Sequence, residues 1–93
     1  MAKAKYSYIY KGQIVRNSNR IYFYGLVNHY DAVVACSATE QGAQKQKSWQ
    51  LNYYKRQYLR YIAKGDQEAI DRTKQEIANI EKWHTVKLEL KEN

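Results

Sequence analysis

The residues best equipped for chemistry lie between Lys45 and Lys64, in KQKSWQLNYYKRQYLRYIAK, which carries six Lys or Arg and no acid. At 100° per residue, a helix gathers Lys45, Trp49, Tyr53, Arg56, Arg60 and Lys64 on one side. Leu51, Tyr54, Tyr58, Tyr61 and Ile62 fall on the other and form a candidate core stripe. The first side joins cations, which neutralise phosphates or carboxylates, to flat rings that stack on bases or cover apolar partner surface. That pattern suits non-covalent recognition. Trp49 and Tyr53 have a second placement, as the seam against a following helix. In it the Arg56 and Arg60 stems flank the seam and their charged heads stay in water.

The inventory for covalent or metal chemistry is thin. His29, His84 and Cys36 show no ligand spacing, so neither a metal nor a cofactor is expected. Cys36 falls where a short buried strand meets a helix start, which suits a small apolar residue. The competing role is a thiol activated by the helix N-terminus and His29. His84 reads as a satisfied edge residue. No glycine-rich phosphate loop, GxSxG or HExxH pattern occurs. Glu68, Asp71, Glu76 and Glu81 read as the solvated face of a helix. The expectation is a protein without enzymatic activity.

Ten tyrosines in 93 residues form a second feature. Tyr6, Tyr8 and Tyr10 recur at period two, so they share one face of a strand. With Lys5, Arg16 and Arg20 beside them they make a secondary candidate surface, a stacking platform for single-stranded nucleic acid. The alternative is that these rings, with Tyr22 and Tyr24, cover the sheet. Tyr54, Tyr58 and Tyr61 favour cover, because the chain uses tyrosine as core material elsewhere.

The elements that must position these residues follow from periodicity. Tyr6 to Tyr10 alternate as a strand, Lys11-Gly12 supply a turn, and Gln13 to Arg16 return. After Asn17-Ser18-Asn19, Arg20 to Asn28 read as the longest strand, with Gly25 at a bulge or a close helix approach, and Ala32 to Cys36 as a short one. Ser37-Ala38-Thr39-Glu40 fits a capping box. It opens a helix of about 27 residues to Lys64, roughly 40 Å long, with Gly42 weakening its first turns. Gly65 then ends that helix in the left-handed region, and Asp66 caps the next, from Gln67 to about Lys82. Ile70, Thr73, Ile77 and Ile80 form its apolar stripe, with Ala69 beside it, and Glu68–Arg72 and Arg72–Glu76 are i,i+4 pairs. Val86, Leu88 and Leu90 alternate in HTVKLEL as a final half-buried strand. The predicted architecture is one α+β domain over residues 1–93. An antiparallel β-meander of about four strands is followed by a long αα-hairpin and a C-terminal strand returning to the sheet (β-β-β-β-α-α-β).

Composition narrows the function. Residues 1–65 hold eleven Lys or Arg against two acids and residues 66–93 hold five against seven, so balances of +9 and −2 make the net +7. Such asymmetry implies a polyanionic partner and salt-sensitive binding. A lone cysteine favours a reducing compartment, hence the cytoplasm, and no apolar run approaches a membrane span. The N-terminus lacks the apolar core of a secretory signal. In outline only, a meander followed by a helix opening Ser-Ala-Thr-Glu resembles DNA readers that lay a three-stranded sheet in the major groove. That likeness fixes no residues, and the element order differs from RRM, KH and double-stranded-RNA folds. The leading expectation is a basic module that contacts nucleic acid or a nucleoprotein complex through residues 45–64. A second is a small phage-type inhibitor of a host defence system, anti-CRISPR-like, that binds an acidic protein partner; such inhibitors are similar in size, tyrosine content and lack of motif. A third is a self-associating structural protein, with Trp49 and Tyr53 in a homodimer seam.

Overall fold

The computed structural model describes residues 3–93. It comprises β1 (Tyr6–Tyr10), β2 (Gln13–Ser18), β3 (Tyr24–Val27), β4 (Val33–Ser37), α1 (Glu40–Lys64), α2 (Gln67–Glu81), β5 (His84–Lys87) and β6 (Glu89–Glu92). The α+β class and the order of strands, two helices and returning strands are as the sequence predicts. The strands divide into two antiparallel sheets, in the orders β2-β1-β6 and β4-β3-β5. The C-terminal segment is therefore two strands. Its backbone passes from one sheet to the other at the buried Leu88, whose N–H donates to the Phe23 carbonyl at 2.9 Å.

The predicted Arg20–Asn28 strand is shortened for a related reason. Tyr8 on central strand β1 is fully enclosed. Its hydroxyl accepts from the Tyr22 N–H at 2.9 Å and donates to the Arg20 carbonyl. Its ring meets the Tyr22 ring edge-on at 5.5 Å. These bonds hold residues 20–22 as a connector between the sheets, so regular pairing begins only at Tyr24. Gly25 is closely approached, but by the Leu88 and Val33 side chains and not by a helix as predicted. A Cβ there would lie 3.1 Å from Leu88 Cδ2, while the bulge falls one residue later, between Leu26 and Val27.

A second tie joins the two hairpins. Asn28 Oδ1 accepts from the N–H groups of Tyr30 and Ala32, shaping the β3–β4 loop and presenting Asp31 at positive φ. Asp31 pairs with Lys11 in the β1–β2 turn and accepts from the Tyr10 hydroxyl at 2.8 Å. Bonds from Lys11 and then Tyr10 hold the Asp31 carboxyl below its ordinary value, and bonding to Asp31 raises both partners.

The entry to α1 differs from the predicted capping box. Ser37 ends β4, paired with Tyr24, so its backbone belongs to the sheet. Thr39 is the N-cap instead, and its Oγ1 accepts from the Gly42 N–H at 3.0 Å. Glu40 Oε1 accepts from Thr85 Oγ1. Gly42 has a packing role here, because a Cβ would sit 2.1 Å from Ser37 Oγ. The hairpin junction follows the sequence closely. Gly65, at φ 70°, donates to the Ile62 carbonyl and Asp66 to the Tyr61 carbonyl, a Schellman pair. Asp66 Oδ1 then accepts from the Ala69 N–H and caps α2. Ala69, Thr73 and Ile80 are buried, as the α2 stripe requires. The two predicted α2 ion pairs do not form, since Lys11–Asp31 is the only ion pair among the described residues. Gln67–Asp71 and Gln75–Asn79 side-chain bonds occupy i,i+4 spacings instead.

Of the helices' neighbours, α1 packs on β3, β4 and β5 and along α2. A 25-residue helix is about 37 Å long at 1.5 Å per residue, more than a short sheet covers. The molecule is accordingly elongated, 52 × 25 × 24 Å, with a radius of gyration of 16.4 Å. A compact chain of this length has about 12 Å. Leu51, Tyr54, Tyr58 and Tyr61 are only half-buried, and Ile62, expected in the core stripe, is exposed. Ala43 is the only fully buried residue of α1. No helix of the described residues is long and apolar enough to cross a membrane.

Two outcomes follow. Tyr8→Phe leaves the Tyr22 N–H without its acceptor and should lower stability by about 1–2 kcal/mol in urea unfolding. An unchanged midpoint would show that the hydroxyl does not hold the connector. The Asp31 tie should be complete above the ordinary aspartate value near 3.8 and be lost as pH falls through the depressed one. A carboxyl-carbon NMR titration should therefore place the Asp31 midpoint below 3.8 in the folded protein.

Candidate nucleic-acid interface

The geometry of α1 is set by covalent periodicity. Lys45, Trp49, Tyr53, Arg56, Arg60 and Lys64 occupy an arc of about 100° and a length of about 28 Å. All six are exposed. Trp49 is 64% exposed and Tyr53 43%. Lys55 is exposed as well, and no cation of α1 takes part in an ion pair among the described residues. Lys47 turns the other way and donates from Nζ to the Glu81 carbonyl at 3.0 Å, tying α1 to the end of α2. The two large aliphatic side chains Leu59 and Ile62 also stand in solvent, at 65% and 47% exposure.

The placement of the two rings is resolved. Tyr54, Gln57 and Tyr61 face Arg72, Thr73 and Glu76 across the helix–helix groove, and Tyr53 stands at its rim, edge-on to Tyr54 at 5.2 Å. Trp49 does not enter that seam. It lines a different groove, of about 570 Å³, between α1 and β4, with Lys45, Gln46 and Gln50 from the helix and Val34 and Ala35 from the strand. Leu26 lies at its base and Trp83 closes one side. The Trp83 indole Nε1–H is shielded from solvent and has no acceptor among the described residues. Sequence reasoning does not single out Gln46, Gln50 or Trp83. Trp83 follows α2 and reaches the groove only because the hairpin folds back, so no local signal announces it.

The secondary candidate surface does not survive as a platform. Tyr8 is enclosed and cannot stack on a ligand, and Tyr10 is engaged with Asp31. Tyr6 and Tyr10 are half-buried. Tyr8 is directed at the β2–β3 connector and Tyr10 at the β3–β4 loop, so these two rings cover neighbouring segments. Lys5, Arg16 and Arg20 are exposed, but the structure gives them no common stacking surface. The Arg16 guanidinium lies over the Tyr22 ring at 5.1 Å, and the Lys5 N–H donates to Asn19 Oδ1.

No group of three His, Cys, Asp or Glu that could hold a metal occurs among the described residues. His29 stacks against Tyr30, with ring centroids 4.0 Å apart. Burial raises the Cys36 thiol above its ordinary value, and the opposing pull of nearby Arg16 does not overcome it. An activated nucleophile requires the opposite shift. Comparison with protein families, with curated proteins and with solved structures gives no match for this chain.

Cys36 should therefore alkylate more slowly at pH 7 than an unstructured thiol, its rate climbing only above the ordinary value near 9. Iodoacetamide labelling followed by mass spectrometry measures this. A rate at pH 7 equal to or above that of the denatured chain would contradict it.

Proposed function

We propose that the protein is a non-enzymatic basic binding module that contacts nucleic acid, alone or within a nucleoprotein complex, through the exposed face of α1. One observation carries this reading: four cations and two rings share one exposed stripe about 28 Å long, and none of the cations takes part in an ion pair among the described residues. Unpaired cations in a row are compensated by mobile counterions. Replacing those ions with phosphates releases them, and this drives binding. The stripe is as long as about eight nucleotide steps at 3.4 Å each. Arg56 and Arg60 lie one helical turn apart, so their guanidinium groups can each take a phosphate oxygen pair. The rings on the same stripe favour sequence-tolerant stacking over base-edge readout.

A second reading has its own support. Leu59 and Ile62 place aliphatic surface beside the stripe, which a nucleic acid does not use and an acidic protein partner would cover. An inhibitor of the anti-CRISPR-like kind would dock this way. The two readings part on which residues matter. Charge reversal at Arg56, Arg60 and Lys64 weakens both, whereas Leu59→Ser and Ile62→Ser weaken only the protein complex.

Binding to a labelled oligonucleotide should follow log–log salt dependence. Neutralising four phosphates gives a slope near −3, roughly a fifty-fold loss between 50 and 200 mM salt. The triple variant Arg56→Glu, Arg60→Glu, Lys64→Glu should lower affinity at least ten-fold and flatten the slope, with folding unchanged by circular dichroism. Absence of binding to DNA and RNA at 50 mM salt, or an unchanged slope in the triple variant, sinks the nucleic-acid reading.

A further inference from the structure

We propose that the groove between α1 and β4 is a subsite for one unpaired nucleobase of a single-stranded nucleic acid whose phosphates follow the α1 stripe. The inference rests on the nucleic-acid reading of that stripe and adds to it the strand state of the ligand. Its volume of about 570 Å³ falls in the range of sites that enclose small ligands, roughly 300–1,000 Å³. Its walls are two indoles and the aliphatic side chains of Leu26 and Val34, surfaces that accept a flat ring.

The polar groups of the groove match a base better than an aliphatic or peptide ligand. Gln46 and Gln50 carry both donors and acceptors on one amide, as the edge of a base does. The Trp83 Nε1–H has no acceptor among the described residues and is shielded from solvent, so a base carbonyl or ring nitrogen would supply one only after the indole reorients toward the groove. Charge fixes the direction of entry. Lys45 belongs both to the groove and to the first position of the cationic stripe, so a phosphate on Lys45 places its own base at the groove mouth, beside the exposed Trp49 ring. A duplex cannot follow this path without unpairing and unstacking a base, whereas a single strand offers one freely.

The chain has two tryptophans and both line the groove, so intrinsic fluorescence reports on it directly. The test titrates the full chain with a twelve-residue thymidine oligonucleotide, with an abasic phosphodiester of equal length and with a duplex. Affinities come from competition against a labelled strand. The thymidine strand is expected to quench the tryptophans and to bind roughly ten-fold or more tighter than the abasic strand, the range seen for stacking one base. Trp49→Ala should remove that advantage, bringing the thymidine strand down to the affinity of the abasic one. Trp83→Phe, which keeps a ring but removes the donor, should reduce it without loss of fold by circular dichroism. Equal affinity for thymidine and abasic strands overturns the subsite but leaves the cationic face standing. Equal quenching by all three ligands also overturns it. Failure of every oligonucleotide to bind at low salt overturns both.

Discussion

An enclosed tyrosine links the two sheets on which the rest of the structure is built. Tyr8 is on the central strand of one sheet, and its hydroxyl bridges the backbone of residues 20 and 22 on the way to the other. A buried phenol needs both ends satisfied: its ring by packing and its hydroxyl by partners. Here the partners are backbone groups of an otherwise irregular connector, so one side chain determines where the chain leaves the first sheet and at what angle it enters the second. The Leu88 crossing and the Asp31 tie add two further links between the sheets. With the second sheet placed, the start of α1 is placed too, through Thr39 and the space left by Gly42 beside Ser37.

From that start the helix outruns its support. Its first turns lie on β3, β4 and β5, and the remainder lies along α2. A helix held by one neighbour buries a narrow strip, which is why the tyrosines of its inner face are half-buried and why Ile62 is exposed. The same geometry leaves the opposite face exposed. Exposure of the cationic stripe is thus a consequence of length against sheet size, and no local feature of the stripe itself produces it. Glu68, Asp71 and Glu81 on α2 are exposed as predicted, Glu76 is instead half-buried in the groove facing α1, and none of the four pairs with an α1 cation among the described residues.

What was legible in the sequence divides along the same line. Features determined within one element or one turn were readable: the alternation of β1, the Gly65–Asp66 junction, the α2 stripe, and the grouping of Lys45, Trp49, Tyr53, Arg56, Arg60 and Lys64 on one face. Features determined by distant partners were not. Ser37 has the chemistry of an N-cap, but its pairing with Tyr24 commits it to the sheet and moves the cap to Thr39. Period two places Tyr6, Tyr8 and Tyr10 on one face without saying whether that face turns inward. The alternation of HTVKLEL runs unbroken through Leu88, so nothing in its pattern marks the change of sheet. Trp83 is 34 residues from Trp49 and meets it across the groove only through the hairpin fold.

The stripe and the stability of the arm that bears it are coupled. Like charges along one face repel one another, and the far half of α1 has the least burial with which to oppose that repulsion. Lys64 is the exception, because its charge in the last turn is favoured by the carbonyl end of the helix. Arg56 and Arg60 have no such compensation. The proposed polyanion, by meeting these charges in the spacing that only the folded helix provides, would stabilise the arm as it binds. On the proposed reading, the half of α1 without a fully buried residue is also the half with most to gain from a polyanion. The sparse core and the unpaired cations would then describe one property: an arm held in place by the sheets at its base and completed, along its length, by the proposed ligand.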